Sequence, residues 1–271
     1  MICSLFPNSC SASRGGYICI INMRGLLLLF FLFSLDAYSQ SKLPYKVGEH
    51  SYFHVSFGGI RVGTAELKIE GQVNINGTPT FHIVGKGKTA PFFDLFFKVR
   101  DVYETYLDTS EVRPVKFFRD ISEGGYKKKQ AYTFNHSKGL VFWKERSQLI
   151  FSNTQDMLSA LFYARTFSQD SLAQKKSFFI PIFMDEENYL LEILYLYRER
   201  VKTNFGMVNC MVFKPKMQEG RVFEDGEQMK IWISDDQNRK LIKVETKIWA
   251  GSIQAIMVKH EEVKYPLSIS K

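Results

Sequence analysis

The chain has 271 residues, with 36 Lys plus Arg against 28 Asp plus Glu, 45% hydrophobic and 15% aromatic content, and a formal net charge of +8. Such apolar and aromatic content excludes a chain disordered throughout. Only one apolar run, Leu26 to Leu35, approaches spanning length, which excludes a multi-span membrane protein. Four Cys exclude a disulfide-dense scaffold.

Met23-Arg24-Gly25, the apolar run, and Ala37-Tyr38-Ser39 before Gln40 form a secretory signal pattern, a charge followed by a short apolar stretch and small residues at the cleavage positions. Residues 1–22 are read as an over-extended gene start, 23–39 as the signal peptide and 40–271 as a single exported domain. Cys3, Cys10 and Cys19 lie upstream of Met23, so Cys210 is left without an internal disulfide partner and the domain must be held by its core. The expected location is the bacterial periplasm, soluble or peripheral to the outer membrane. Export argues against a nucleic-acid partner. The positive charge serves solubility or contact with an anionic surface.

After Gln40 the pattern is antiparallel β. Phe53, Val55 and Phe57 alternate with polar neighbours, as do Ala65, Leu67 and Ile69, then Ile242, Val244, Thr246 and Ile248. Period 2 puts each apolar set on one face of a sheet. Turn signals fall between the runs: Gly58-Gly59, Asn76-Gly77, Glu123-Gly124-Gly125, Ser137-Lys138-Gly139, Asn204-Phe205-Gly206, Asp225-Gly226 and Asp235 to Asn238. About a dozen strands follow. Met157, Leu158, Leu161, Phe162 and Ala164 instead recur at three and four, which predicts a helix over 154–167 with Thr154 as its N-cap. A shorter helical turn is expected after Pro91, and Ser168 to Lys176 reads as a polar loop between two β halves. The fold class is therefore mainly β: a curved antiparallel sheet, or an open barrel or sandwich, with one inserted helix.

Two stretches are apolar on both strand faces. Tyr189, Leu191, Ile193, Tyr195 and Tyr197 share one face, with Leu190, Leu194 and Leu196 on the other and Glu192 among them. Met207, Met211 and Phe213 oppose Val208, Cys210 and Val212. Antiparallel strands usually keep one wet face, so both faces here need a cover. Either these are central strands between two layers, or a concave face lines an apolar cavity with the helix as lid. The second alternative gives a candidate ligand-lining set of Tyr189, Leu191, Ile193, Tyr195, Leu158, Leu161 and Phe162.

Motifs of catalysis are missing: no G-x-S-x-G, H-E-x-x-H, P-loop, G-x-G-x-x-G or C-x-x-C occurs. His50 and His54 share a strand face about 13 Å apart, too far for one metal ion. Glu186-Glu187 and Asp235-Asp236 sit at turns and point apart. Lys127-Lys128-Lys129 flanks a hairpin. No catalytic residue, metal or cofactor is expected.

Several short stretches in order resemble a bacterial exported family, a domain of unknown function (number 3108). They are Phe57-Gly58-Gly59-Ile60 with Gly63-Thr64-Ala65, Val99-Arg100-Asp101-Val102-Tyr103-Glu104, Arg113-Pro114, Gln155 through Arg165, Thr203 with Gly206, and Ile231-Trp232-Ile233-Ser234-Asp235-Asp236. The resemblance implies an exported antiparallel β-domain of the envelope, with no established activity or catalytic residues. A curved sheet with a helix inserted midway is also similar to the architecture of periplasmic lipoprotein carriers. The expected function is non-enzymatic binding of a lipid or other apolar small molecule. The alternatives are a module docking another envelope protein and, behind it, an envelope glycan or lipid hydrolase.

Overall fold

A computed structural model of the chain describes residues 43–217, 228–248 and 251–270. The signal-like segment and the Asp225-Gly226 turn lie outside the described residues. Strands β1 (His50–Phe57), β2 (Ile60–Ile75), β3 (Thr78–Thr89), β4 (Val99–Asp108), β5 (Pro114–Glu123), β6 (Tyr126–Asn135), β7 (Leu140–Trp143) and β8 (Arg146–Leu149) form one antiparallel meander. Helices α1 (Ser159–Ala164) and α2 (Gln169–Gln174) follow. A second meander holds β9 (Ser177–Met184), β10 (Glu187–Thr203), β11 (Gly206–Met217), β12 (Gln228–Ser234), β13 (Leu241–Ile248) and β14 (Gly251–Glu261). Pairing of β1 with β14 joins the two meanders into one open sheet from β8 to β9, and β15 (Ile269–Ser270) pairs with β11. The mainly β class holds.

The hairpins are where the turn chemistry puts them. At the β2–β3 turn Asn76 and Gly77 have φ of 51° and 89°, the left-handed pair a tight hairpin needs, and the Asn74 side chain accepts from the Gly77 N–H at 2.7 Å. The helix is shorter than its periodicity predicts. It runs from Ser159 to Ala164, and Thr154 does not cap it; the Thr154 hydroxyl donates to the Phe151 carbonyl instead. The first-turn N–H groups of Leu158 and Ser159 both donate to Asp156 Oδ1 at 2.8 Å. Met157 and Leu158 form a turn before α1, and the chain is strand-like only at Gln155. Gln155 pairs in parallel with Ile182, its N–H donating to the Pro181 carbonyl and its carbonyl accepting from Phe183 N–H, which covers part of the β9 edge. The polar stretch after α1 contains a helical turn, α2, capped by Ser168, whose hydroxyl oxygen accepts from Ser171 N–H.

The two-faced pattern is accounted for in β11 and in part in β10. Strand β11 lies between two cores. Val208, Cys210 and Val212 pack with Phe53, Trp232, Ile242 and Met257. Met211 and Phe213 pack with Ile180, Ile182 and Ile193 against the helical segment. In β10 the alternation changes register: a bulge between Tyr195 and Tyr197 turns Leu196 and Val201 into the first core, Tyr189, Leu191, Ile193 and Tyr195 serve the second, and Leu190 and Leu194 are half-buried and belong to neither. Tyr197, expected on the same face as Tyr195, lies past the bulge and is exposed.

Helix α1 is wedged between halves of the sheet. Phe162 enters a core of Tyr45, Ile69, Phe81, Ile83 and Leu107, while Ala160 and Ala164 belong to the β9–β11 side. Arg165 at its C-terminal end fixes the wedge. Its guanidinium donates to both Glu49 oxygens, at 2.7 and 2.9 Å, and to the Asn238 carbonyl at 2.9 Å. Lys240 Nζ donates to Glu49 Oε1 at 2.8 Å. All three side chains are buried. Burial alone would push the Glu49 carboxyl up, but Arg165 and Lys240 outweigh it and hold the group at about 2. Burial brings Lys240 down to about 8 despite its carboxylate partner.

Removing Glu49 strands two buried cations, so Glu49→Gln should lower the unfolding free energy by ~3–5 kcal/mol in urea denaturation at neutral pH. Lys240→Met should cost clearly less, because it leaves a one-to-one Arg165–Glu49 pair. The stabilisation from the depressed Glu49 carboxyl is present above pH 4.5 and lost as pH falls through about 2, so Glu49→Gln should also flatten acid unfolding in that window.

Candidate functional site

An apolar cavity lies between α1 and the inner face of β9–β12. It has a volume of about 160 Å³. Ala160, Leu161 and Ala164 border it from the helix, Leu172 from α2, and Phe178, Ile180, Leu191, Ile193, Phe213, Ile231 and Ile233 from the sheet. It arises because α1 presents two alanines, four residues apart, to a wall of larger side chains. Volume missing from the helix side is not filled from the strands.

Of the seven residues expected to line a ligand site, Leu161, Leu191 and Ile193 border this cavity. Tyr189 and Tyr195 belong to the same apolar cluster without bordering the space. Leu158 and Phe162 turn to the other side of α1, where Phe162 meets the Tyr45 ring at 5.1 Å between centroids and Leu158 packs toward Phe117 and Trp143. Helical spacing of three and four places these residues on different sides of a short helix that has apolar neighbours on both. Ile231 and Ile233 were readable as a period-2 pair, and Ala160 and Ala164 as an i,i+4 pair of small residues. Two cations border the same space: Arg165, tied to Glu49, and the half-buried Arg239, whose Nε donates to the Arg165 carbonyl.

Polar groups elsewhere organise loops. Asp236 accepts from the Ser234 hydroxyl, Asn238 N–H and Ser268 N–H and so orders its loop, while Asp235 accepts from Arg198. Arg119 and Lys128 both donate to Asp185, fastening the β9–β10 turn across β5 and β6. His82 contacts Glu104 at 2.8 Å and His136 meets the Pro114 carbonyl at 2.9 Å. Among the described residues no group of three or more His, Cys, Asp or Glu side chains could hold a metal ion.

One buried acid stands at the entrance of α1. Asp156 is wholly buried, its Oδ2 accepts from the Thr105 hydroxyl at 2.6 Å, and burial pushes its carboxyl up to about 6 against the opposing hydrogen bonds. A raised carboxyl favours the protonated form in the folded state. Its contribution is complete below pH 3.8 and lost as pH rises through about 6. Asp156→Asn keeps the acceptor for Leu158 and Ser159 and cannot ionise. It should remove this part of the pH dependence, of order 3 kcal/mol for such a displacement, as read from urea midpoints measured between pH 4 and pH 8.

The fold has solved relatives. A β-barrel-like protein of the domain of unknown function DUF1849 from Brucella abortus is similar at a TM-score of 0.54 and 9% identity, covering 82% of this chain and 100% of that one. A "putative lipoprotein" from Parabacteroides distasonis aligns over 81% of this chain and 98% of its own, at 9% identity and a TM-score of 0.37. At that identity the first likeness concerns the fold alone, and at that TM-score the second adds nothing to it. No curated protein matches the chain. The model of one family spans residues 52–258, which takes in both meanders, α1 and the cavity wall, and the chain belongs to that family, described as Protein of unknown function (DUF3108).

Proposed function

We propose that this protein is an exported envelope protein that shelters an apolar group, such as part of a lipid acyl chain, beneath α1. The observation that carries this reading is the cavity of about 160 Å³, whose walls are almost entirely hydrocarbon. Water gains little there, since a buried water needs two to four polar partners. An apolar ligand group would recover the dispersion contacts that the facing side chains lack. The volume is below the ~300–1,000 Å³ of pockets that enclose a drug-sized ligand. It suits one end of a chain or a single ring. Leu161, Leu191 and Ile193 are the lining residues proposed for that end, and Arg239 at the border favours a ligand with an acidic head. Export rests on the Met23 to Ser39 signal pattern.

Organic extraction of the purified protein followed by mass spectrometry should release lipid, and a fluorescent fatty acid should bind the delipidated protein. Ala164→Leu extends a side chain into the space. It should weaken the fatty acid by about tenfold or more while raising the unfolding free energy by ~1–2 kcal/mol through added burial. A protein that yields no lipid, ignores the probe and is still stabilised by Ala164→Leu has a packing void there, and the reading is wrong.

A further inference from the structure

The meander brings the β1–β2, β3–β4 and β5–β6 hairpins and the start of β14 to one end of the sheet, side by side. Backbone bonds join them: Gly58 N–H donates to the Ser252 carbonyl at 3.1 Å, Ala90 N–H to Val62 at 2.8 Å and Gly124 N–H to Lys98 at 2.9 Å. This rim is unusually apolar. Leu95 is 81% exposed, Phe96 75%, Phe92 65% and Ile60 65%, with Phe97 and Tyr126 also open to solvent. Contiguous exposure on this scale is uncommon on a monomer's surface and marks a contact site.

The central loop is held in its outward form. Asp94 is clamped by Arg100, at 2.5 and 3.0 Å, and by the Thr89 hydroxyl, and Thr89 Oγ1 accepts from Val99 N–H at 3.0 Å. Within this tip, Phe93 and Asp94 are half-buried and form the first two residues of a single 3-10 turn, Phe93–Leu95. The Phe97 ring lies so close to Gly124 that a Cβ added there would sit 2.1 Å from it, so the ring is docked on the neighbouring hairpin and needs a glycine beneath it. Cations surround the aromatics: Arg61, Lys88, Lys98 and Lys127 are all exposed on the same three hairpins, whereas the carboxyls there, Asp101 and Glu123, are half-buried beside each other. Asp94, the acid at the tip, is neutralised by Arg100.

The geometry points to this rim as the face by which the protein seats on an anionic phospholipid bilayer, with Phe92, Leu95 and Phe96 entering the interface and the surrounding cations meeting headgroup phosphates. Exposed aromatic and aliphatic side chains ringed by Lys and Arg are the composition of an interfacial anchor. A second copy fits less well, because a two-fold contact through this rim would oppose the same cations. The site is separate from the cavity beneath α1.

Co-sedimentation with phosphatidylcholine vesicles, with and without phosphatidylglycerol, tests it. The protein should bind the anionic vesicles and lose binding at raised salt. The Phe92→Ser/Leu95→Ser/Phe96→Ser variant should bind about tenfold more weakly or not at all, with an unchanged melting temperature because all three side chains are exposed. Lys88→Glu/Lys98→Glu should weaken it similarly. Leu149→Ser/Phe151→Ser, two exposed residues at the opposite end of β8, should bind as the unaltered chain does. If the rim variant binds like the unaltered chain, or the unaltered chain binds neither vesicle, the inference is overturned. A rim-dependent dimer in sedimentation equilibrium without vesicle binding would overturn it in favour of a second copy.

Discussion

The bidentate contact between Arg165 and Glu49 decides where the helix can be. Glu49 directly precedes β1, Arg165 ends α1, and Lys240 precedes β13, so one carboxylate ties together three segments more than a hundred residues apart in places. A six-residue helix has no stability of its own in water. It persists because its two ends are tied, at the start by Asp156 accepting from two backbone N–H groups and at the end by the charge cluster. Aromatic rings reinforce the second tie: the guanidinium lies 5.0 Å from the Tyr45 ring and 5.3 Å from that of Phe162. Such a cluster is not a cheap way to gain stability, since burying three charges costs more than burying hydrocarbon. What it provides is position: one carboxylate holds two cations from distant segments at fixed distances.

Much of the fold was legible because antiparallel sheets write their period and their turns into the sequence. The runs at Phe53–Phe57, Ala65–Ile69 and Ile242–Ile248 became strands, and turns formed at Gly58-Gly59, Asn76-Gly77, Gly124-Gly125 and Asn204 to Gly206. The limits of α1 were not legible. Residues 154–157 carry helix-compatible spacing, yet Gln155 is captured by the edge of β9, a long-range pairing that no local pattern records. The bulge at Leu196 was hidden for a related reason. An apolar residue on each face looks the same whether two layers cover the strand or the strand changes face midway.

The candidate site was legible in part. Leu191 and Ile193 followed from strand period, but dividing Leu158, Leu161 and Phe162 among neighbours required knowing that α1 is wedged between two apolar masses, not laid over one. The charge cluster left no signal at all. Glu49, Arg165 and Lys240 are ordinary charged residues in sequence, and only the fold brings them together. The Gln155 to Arg165 stretch, one of those that carry the resemblance, contains the strand-edge pairing residue, the buried acid at the helix entrance and the arginine at its exit.

Cover and cavity are thereby coupled. The space beneath α1 exists because Ala160 and Ala164 face bulky strand residues, and its helical wall is tied at both ends. Arg165 is at once a border of that space and the centre of the charge cluster, so any movement of the helix away from Leu191 and Ile193 must stretch its bonds to Glu49. Arg239 binds the carbonyl of the same residue and borders the same space. A group entering beneath the helix would therefore work against a polar clamp in order to gain apolar contact. If the proposed apolar group does enter there, the bonds of Arg165 to Glu49 would add to the free energy of opening the space.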